Sequence, residues 1–157
     1  MVLNNVAPAL LGYGQPELSQ WPYDPTLGAG TEEPPENLQN PPWKRSALND
    51  VVLKHDGIED ALEDELEHSH PVILIVEVTD EFGQPDDEGI VAMPNMRAAS
   101  GSYHAVACVG AAYHPTRGRL LLIKNSWGTD WGLGGYCWLP LEYLTAFVVQ
   151  AAAIVDI

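Results

Sequence analysis

Tyr103-His104-Ala105-Val106 and, twenty residues on, Lys124-Asn125-Ser126-Trp127-Gly128-Thr129-Asp130-Trp131-Gly132 are the stretches that decide the fold. Tyr103–Tyr113 and Arg119–Asn125 read as two β-rich runs, and Pro115-Thr116-Arg117-Gly118 between them has the chemistry of a tight turn. A hairpin of this kind brings the start of its first strand beside the end of its second. His104 and Asn125 are therefore expected side by side. An asparagine carbonyl oxygen can accept a hydrogen bond from the imidazole, which sets the tautomer and plane of the ring. Trp127 and Trp131 would cover that bond and lower the local dielectric. An imidazole held this way can pair with a thiolate and later protonate a leaving amine. Yet no cysteine precedes His104 in these residues.

The bulk properties narrow the partners. A chain of 157 residues is long enough to bury its own core, and 46% hydrophobic with 18% charged residues is a globular composition. Seven Lys+Arg against 22 Asp+Glu give a net charge of −15. Such a surface repels phosphate, so neither nucleic acid nor an anionic membrane is an expected partner. The best apolar run, Ala146 to Val155, contains Gln150 and is shorter than the ~18 residues of a membrane span. Met1-Val2-Leu3-Asn4-Asn5 lacks the basic segment of a signal peptide, which leaves the compartment open. Cys108 and Cys137 are too few for a disulfide scaffold; one bridge between them is open if their strands are neighbours, and buried free thiols are the expected state.

Along the chain, residues 1–23 read as a short apolar helix (Val6, Leu10, Leu11) followed by Trp21-Pro22-Tyr23. Residues 24–50 form an extended connection rich in proline and glycine. Residues 51–157 are mostly strand. They open with an amphipathic helix in which Ile58, Leu62 and Leu66 share one face, Asp56 is the expected N-cap and His70-Pro71 the stop. Further strands are expected at Pro71–Thr79, Gly89–Met93 and Tyr136–Leu139, then a turn at Pro140 and a last strand over Phe147–Val155. Helix followed by sequential strands implies an α+β fold built on an antiparallel sheet or half-barrel.

Other constellations carry less. His68 and His70 sit beside Glu63, Glu65 and Glu67, but an i, i+2 spacing across a helix end does not put both imidazoles on one face. The carboxylates from Asp80 to Glu88 lack the order of a calcium loop, and neither glycine cluster lies between a strand and a helix as a phosphate loop would. No metal or cofactor is expected.

Asn125-Ser126-Trp127-Gly128, a tryptophan four residues on and Gly134-Gly135-Tyr136, taken with His104-Ala105-Val106, resemble the papain-like cysteine peptidases. Trp21-Pro22-Tyr23 after Glu17 resembles another segment of that family, and Tyr136-Cys137-Trp138-Leu139-Pro140 is closest to its prokaryotic members. The resemblance implies the papain fold, with residues 51–157 as its β-rich lobe and residues 1–23 as a remnant of the helical lobe. It implies His104 as general base and acid, Asn125 as its orienting partner and Trp127 as shield. Ser126, Gly128 and Trp131 are implied as support for the site.

The departure from the family concerns the nucleophile. The cysteine signature and the glutamine of the oxyanion hole belong roughly 130–150 residues before the histidine and asparagine, upstream of Met1. Cys108 lies four residues along the strand from His104, about 13 Å away at ~3.3 Å per residue, while arithmetic leaves Cys137 open. The chain is thus expected to be a peptidase homologue without a nucleophile, a pseudoenzyme inactive alone. The alternatives are part of an active peptidase whose cysteine lobe lies upstream or on another chain, and a binding module on the same fold. Implied partners are a peptide or protein substrate once a cysteine-bearing lobe completes the site, and a chain covering the His104 face.

Overall fold

The computed structural model describes residues 3–22, 24, 33–51, 58–94 and 102–157. The chain forms two compact units, residues 49–154 and residues 2–48 with 155–157. In the smaller unit, helix α1 (Leu3–Gly12) closes with the Tyr13 N–H donating to the Ala9 carbonyl at 2.8 Å, and Gln15 pairs with Lys44 in an isolated bridge. Tyr23 of the Trp-Pro-Tyr segment and Asp56, the expected N-cap, lie outside the described residues.

The larger unit begins with the end of strand β1 (Ser46–Asp50) and helix α2 (Ile58–Glu67). Leu62 in the centre of the α2 stripe is fully buried and Leu66 packs on the core, while the carboxylates face outward. The helix stops in a hydrogen-bonded left-handed cap. Ser69 takes φ 63°, its N–H donates to Leu66 and the His70 N–H reaches back to Glu65. Pro71 then has no N–H to continue the helix.

Strand β2 (Val72–Glu77), Val-Ile-Leu-Ile-Val-Glu, is buried along almost its whole length. It lies antiparallel between β3 (Tyr103–His114) and β6 (Val148–Asp156), so a continuous apolar run suits it better than an alternating one. β3 pairs with β4 (Gly118–Lys124) and β4 with β5 (Tyr136–Pro140), both antiparallel. The order across the sheet is β1-β6-β2-β3-β4-β5, an α+β architecture as expected. Leu62, Val72, Leu74, Val106, Ile123, Leu139 and Tyr143 belong to one core cluster. Among the described residues no helix is long and apolar enough to cross a membrane.

Several local expectations are corrected. Gly89–Met93 is not a strand but an isolated parallel bridge, in which the Val91 N–H donates to Trp138 and the Trp138 N–H to Gly89. Pro140 does not simply turn the chain. It is the N-cap of helix α4 (Leu141–Phe147), whose Tyr143, Leu144 and Phe147 are all buried, and β6 follows from Val148. The one-turn helix α3 (Asp80–Gly83) arises where Thr79 Oγ1 accepts the Phe82 N–H at 3.2 Å.

Candidate active site

His104, Val106 and Cys108 alternate along β3 on the face that meets Val76, Leu74 and Val72 of β2. Val106 and Cys108 are buried, and His104 is the next rung, half-buried at the rim of that face. Asn125 leaves β4 just past Lys124, which pairs with Ala107, so its side chain needs to reach back only a short way. Its backbone N–H is tied to the Gly135 carbonyl at 2.9 Å. The hairpin does bring the two side chains together, with His104 Nε2 and Asn125 Oδ1 2.7 Å apart.

A second bond assigns the proton. The Ser126 backbone N–H points at the same Asn125 atom at 2.7 Å, and a backbone N–H can only donate. That atom is therefore the amide oxygen, an acceptor, and His104 must donate to it through Nε2–H. The neutral imidazole then carries its free lone pair on Nδ1, where it can take a proton. Ser126 serves the site with its main chain, not its hydroxyl. The Nδ2 of Asn125 is buried without a hydrogen-bond partner among the described residues.

Trp127 lies against the imidazole, ring centroids 4.9 Å apart and planes at 26°, and is still 42% exposed on its outer side. The stack covers one face of the ring. Trp127 is held in turn by edge contacts with Phe82 at 5.6 Å and Trp131 at 5.5 Å. Trp131 donates its Nε1–H to the Gly83 carbonyl at 3.2 Å and also meets Phe82. The loop can fold back this way only with glycine at two points. Gly128 takes φ 90° directly after Trp127, and at Gly132, φ 54°, a Cβ would strike the Tyr136 carbonyl oxygen.

The sequence reading assigned Phe82, Thr79 and Tyr143 no part in the site. Phe82 is fully buried beneath both tryptophans and also contacts the Tyr143 ring. The Tyr143 hydroxyl donates to the Glu77 carbonyl at 2.7 Å. The local signal was Thr79 followed by Asp80 and Glu81, an N-cap residue with an acidic first turn.

Both cysteines are free and buried. Cys108 pairs with Ile123, and Ile123 with Cys137, so the two sulfur-bearing residues flank one strand. Two strand spacings put their Cα atoms roughly 9–10 Å apart, beyond disulfide reach. Cys137 is thus two strands over from β3 and level with Cys108, even farther from His104 than Cys108 is. Burial pushes the Cys108 thiol up to about 11 and the Cys137 thiol to about 12, from an ordinary 9.0. Both are protonated and inert at neutral pH. Iodoacetamide at pH 8 is expected to leave both unmodified in the folded chain and to alkylate both in urea, read by intact mass. Because the folded thiols ionise later than the unfolded ones, their contribution to stability is complete below pH 9 and shrinks as pH rises toward 12.

Among the described residues no group of three or more His, Cys, Asp or Glu side chains is arranged to hold a metal ion. The profile of the papain family cysteine proteases matches residues 13–152, nearly nine-tenths of the chain. The chain belongs to that family. An uncharacterized peptidase C1-like protein of Acanthamoeba polyphaga mimivirus is 29% identical over 142 residues, covering 84% of this chain and 43% of the viral protein. Silicatein of Petrosia ficiformis is 30% identical over 86 residues, 55% of this chain and 25% of silicatein. Xylellain, a cysteine protease from Xylella fastidiosa, superposes with a TM-score of 0.69 at 22% identity, over 99% of this chain and 62% of xylellain. A Carica candamarcensis cysteine protease in complex with E-64 gives 0.65 at 25% identity, over 96% of this chain and 66% of that one. The papain fold is thereby established, and the chain spans under half of the length of the curated relatives it matches.

Proposed function

We propose that this chain supplies the histidine–asparagine half of a papain-type peptidase and hydrolyses peptide bonds only when a cysteine-bearing segment outside these 157 residues completes it. The observation that carries the reading is the pair of bonds on Asn125 Oδ1, from His104 and from the Ser126 N–H, which leaves His104 Nδ1 as the open base. In the completed site Nδ1 removes the thiol proton, and the thiolate attacks the carbonyl carbon of the scissile bond. The imidazolium returns that proton to the leaving amine as the C–N bond breaks. Water, deprotonated by the same nitrogen, then hydrolyses the thioester and restores the thiol. Asn125 keeps the ring in plane through these transfers, and Trp127 limits water on one face.

On this reading the chain alone is catalytically incomplete. Cys108 and Cys137 are too far from His104 and too buried to attack a substrate. The outer face of Trp127, 42% accessible against the His104 ring, is where we place the completing segment. The substrate class is peptide or protein.

The purified 157-residue chain is expected neither to turn over a dipeptidyl fluorogenic substrate nor to bind a thiol-directed epoxide covalently. Joined in frame behind the cysteine-bearing portion of xylellain, it is expected to gain both. Epoxide labelling of Cys137 with turnover in the isolated chain would refute the incomplete-site reading. A chimera that folds, by circular dichroism and thermal melt, yet stays inert would refute the catalytic one.

A further inference from the structure

Strand β3 outruns its neighbour. The β2–β3 ladder ends at Val72 opposite Cys108, because Pro71 and the cap of α2 stop β2 there. β3 continues for six residues to His114, paired on its other side with β4 by Gly110↔Leu122 through His114↔Gly118. Val109–Tyr113 thus carries a sheet edge with no strand beside it among the described residues. The ladder shifts register between Cys108 and Gly110, at the start of this overhang.

Between overhang and helix runs a groove of about 490 Å³, lined by Val109–Tyr113 and Arg119 on one side and by Glu63, Leu66 and Glu67 on the other. Val109 is 38% and Tyr113 76% exposed, so apolar side chains flank an open main chain. The charge of the groove is one-sided. Helix α2 carries Glu59, Asp60, Glu63, Asp64, Glu65 and Glu67 and no lysine or arginine. Arg119, the one cation in the lining, is taken up by Glu63 at 2.6 Å and Asp60 at 3.5 Å. Glu67, exposed at the groove's rim, has no ion-pair partner among the described residues.

We infer that this groove docks an extended peptide segment of a partner protein, one that alternates apolar with basic side chains and adds as a strand along Val109–Tyr113. Main-chain hydrogen bonds from the free edge provide the affinity. Leu66, Val109 and Tyr113 take the apolar side chains, and the α2 carboxylates take the basic ones and reject acidic competitors. A second copy of this chain fits poorly, because edge-to-edge pairing would bring two acidic α2 helices together in a protein of net charge −15. The groove lies five to nine residues along β3 from His104, roughly 16–30 Å, so occupancy does not require a completed catalytic site.

Fluorescence anisotropy on the full 157-residue chain tests this, using a labelled Lys-Val-Lys-Val-Lys-Val peptide as probe. Binding is expected, weakening with salt, with amide shifts in an NMR titration confined to Val109–Tyr113 and α2. N-methylation of alternate probe residues keeps the charge but removes edge hydrogen bonds, and should weaken binding about tenfold or more. Glu67→Lys should weaken it comparably, whereas Glu36→Lys, an equal change of net charge elsewhere, should leave it within about twofold. Equal binding of a Glu-Val probe, indifference to N-methylation, or equal effects of the two charge reversals would overturn the proposal. So would a dimer, seen by sedimentation of the chain alone, that occupies the same amides.

Discussion

His104→Ala, made in the chain completed by a cysteine-bearing segment, is expected to lower kcat/KM by about 10²–10⁴-fold, the usual worth of a positioned acid–base group. In transition-state terms that is roughly 3–5 kcal/mol. Every proton transfer of the proposed cycle passes through His104 Nδ1, and Asn125 already occupies Nε2. Among the described residues, neither side chain in contact with the ring can take over. Trp127 stacks on the ring but its indole has no basic nitrogen, and Asn125 does not titrate. Folding should be little affected, since His104 sits half-buried at the rim of the core. Asn125→Ala should lie between wild type and His104→Ala, because it leaves the base present but releases its tautomer and plane. Steady-state kinetics with a fluorogenic dipeptide, alongside thermal melts, measure both. A His104→Ala enzyme keeping more than about a tenth of its activity would remove His104 from the mechanism.

Phe82→Ala should cost about 3–5 kcal/mol of stability, at the large end for a single substitution. Phe82 is fully buried and touches the rings of Trp127, Trp131 and Tyr143, so truncation opens a cavity that three large rings surround. It also removes the edge contact beneath Trp127, so the stack on His104 should loosen. A lower urea midpoint at unchanged slope, together with loss of the near-ultraviolet tryptophan signal, is the expected result. Phe82→Leu, which refills most of the volume, should recover over half of the loss. A Phe82→Ala midpoint equivalent to less than about 1 kcal/mol of change would show that the tryptophans pack without it.

Where local chemistry determines structure, the residues were readable in order. The α2 stripe of Ile58, Leu62 and Leu66 formed the helix it implied, and Pro115–Gly118 sits where β3 turns into β4. The His104–Asn125 contact followed from that hairpin alone. Leu141–Phe147 was misjudged because Pro140 signals a turn and a helix start equally well. Tyr143, Leu144 and Phe147 chose the helix by burial in the core. Gly89–Met93 has strand composition, yet Val91 and Gly89 find their partner in Trp138, far along the chain, through a single bridge.

By itself, then, the sequence determined the helix, the hairpin and the histidine–asparagine pair, because each rests on spacing within one segment or one turn, while its motifs carried the resemblance to the papain family. Only the tertiary structure decided which imidazole nitrogen is free, since that depends on the Ser126 N–H meeting Asn125 Oδ1. It decided that Phe82 supports Trp127, because α3 and the loop after β4 meet only when packed. It also decided that Cys108 and Cys137 are out of reach of His104, because strand order sets distances across a sheet that residue counting along one strand cannot.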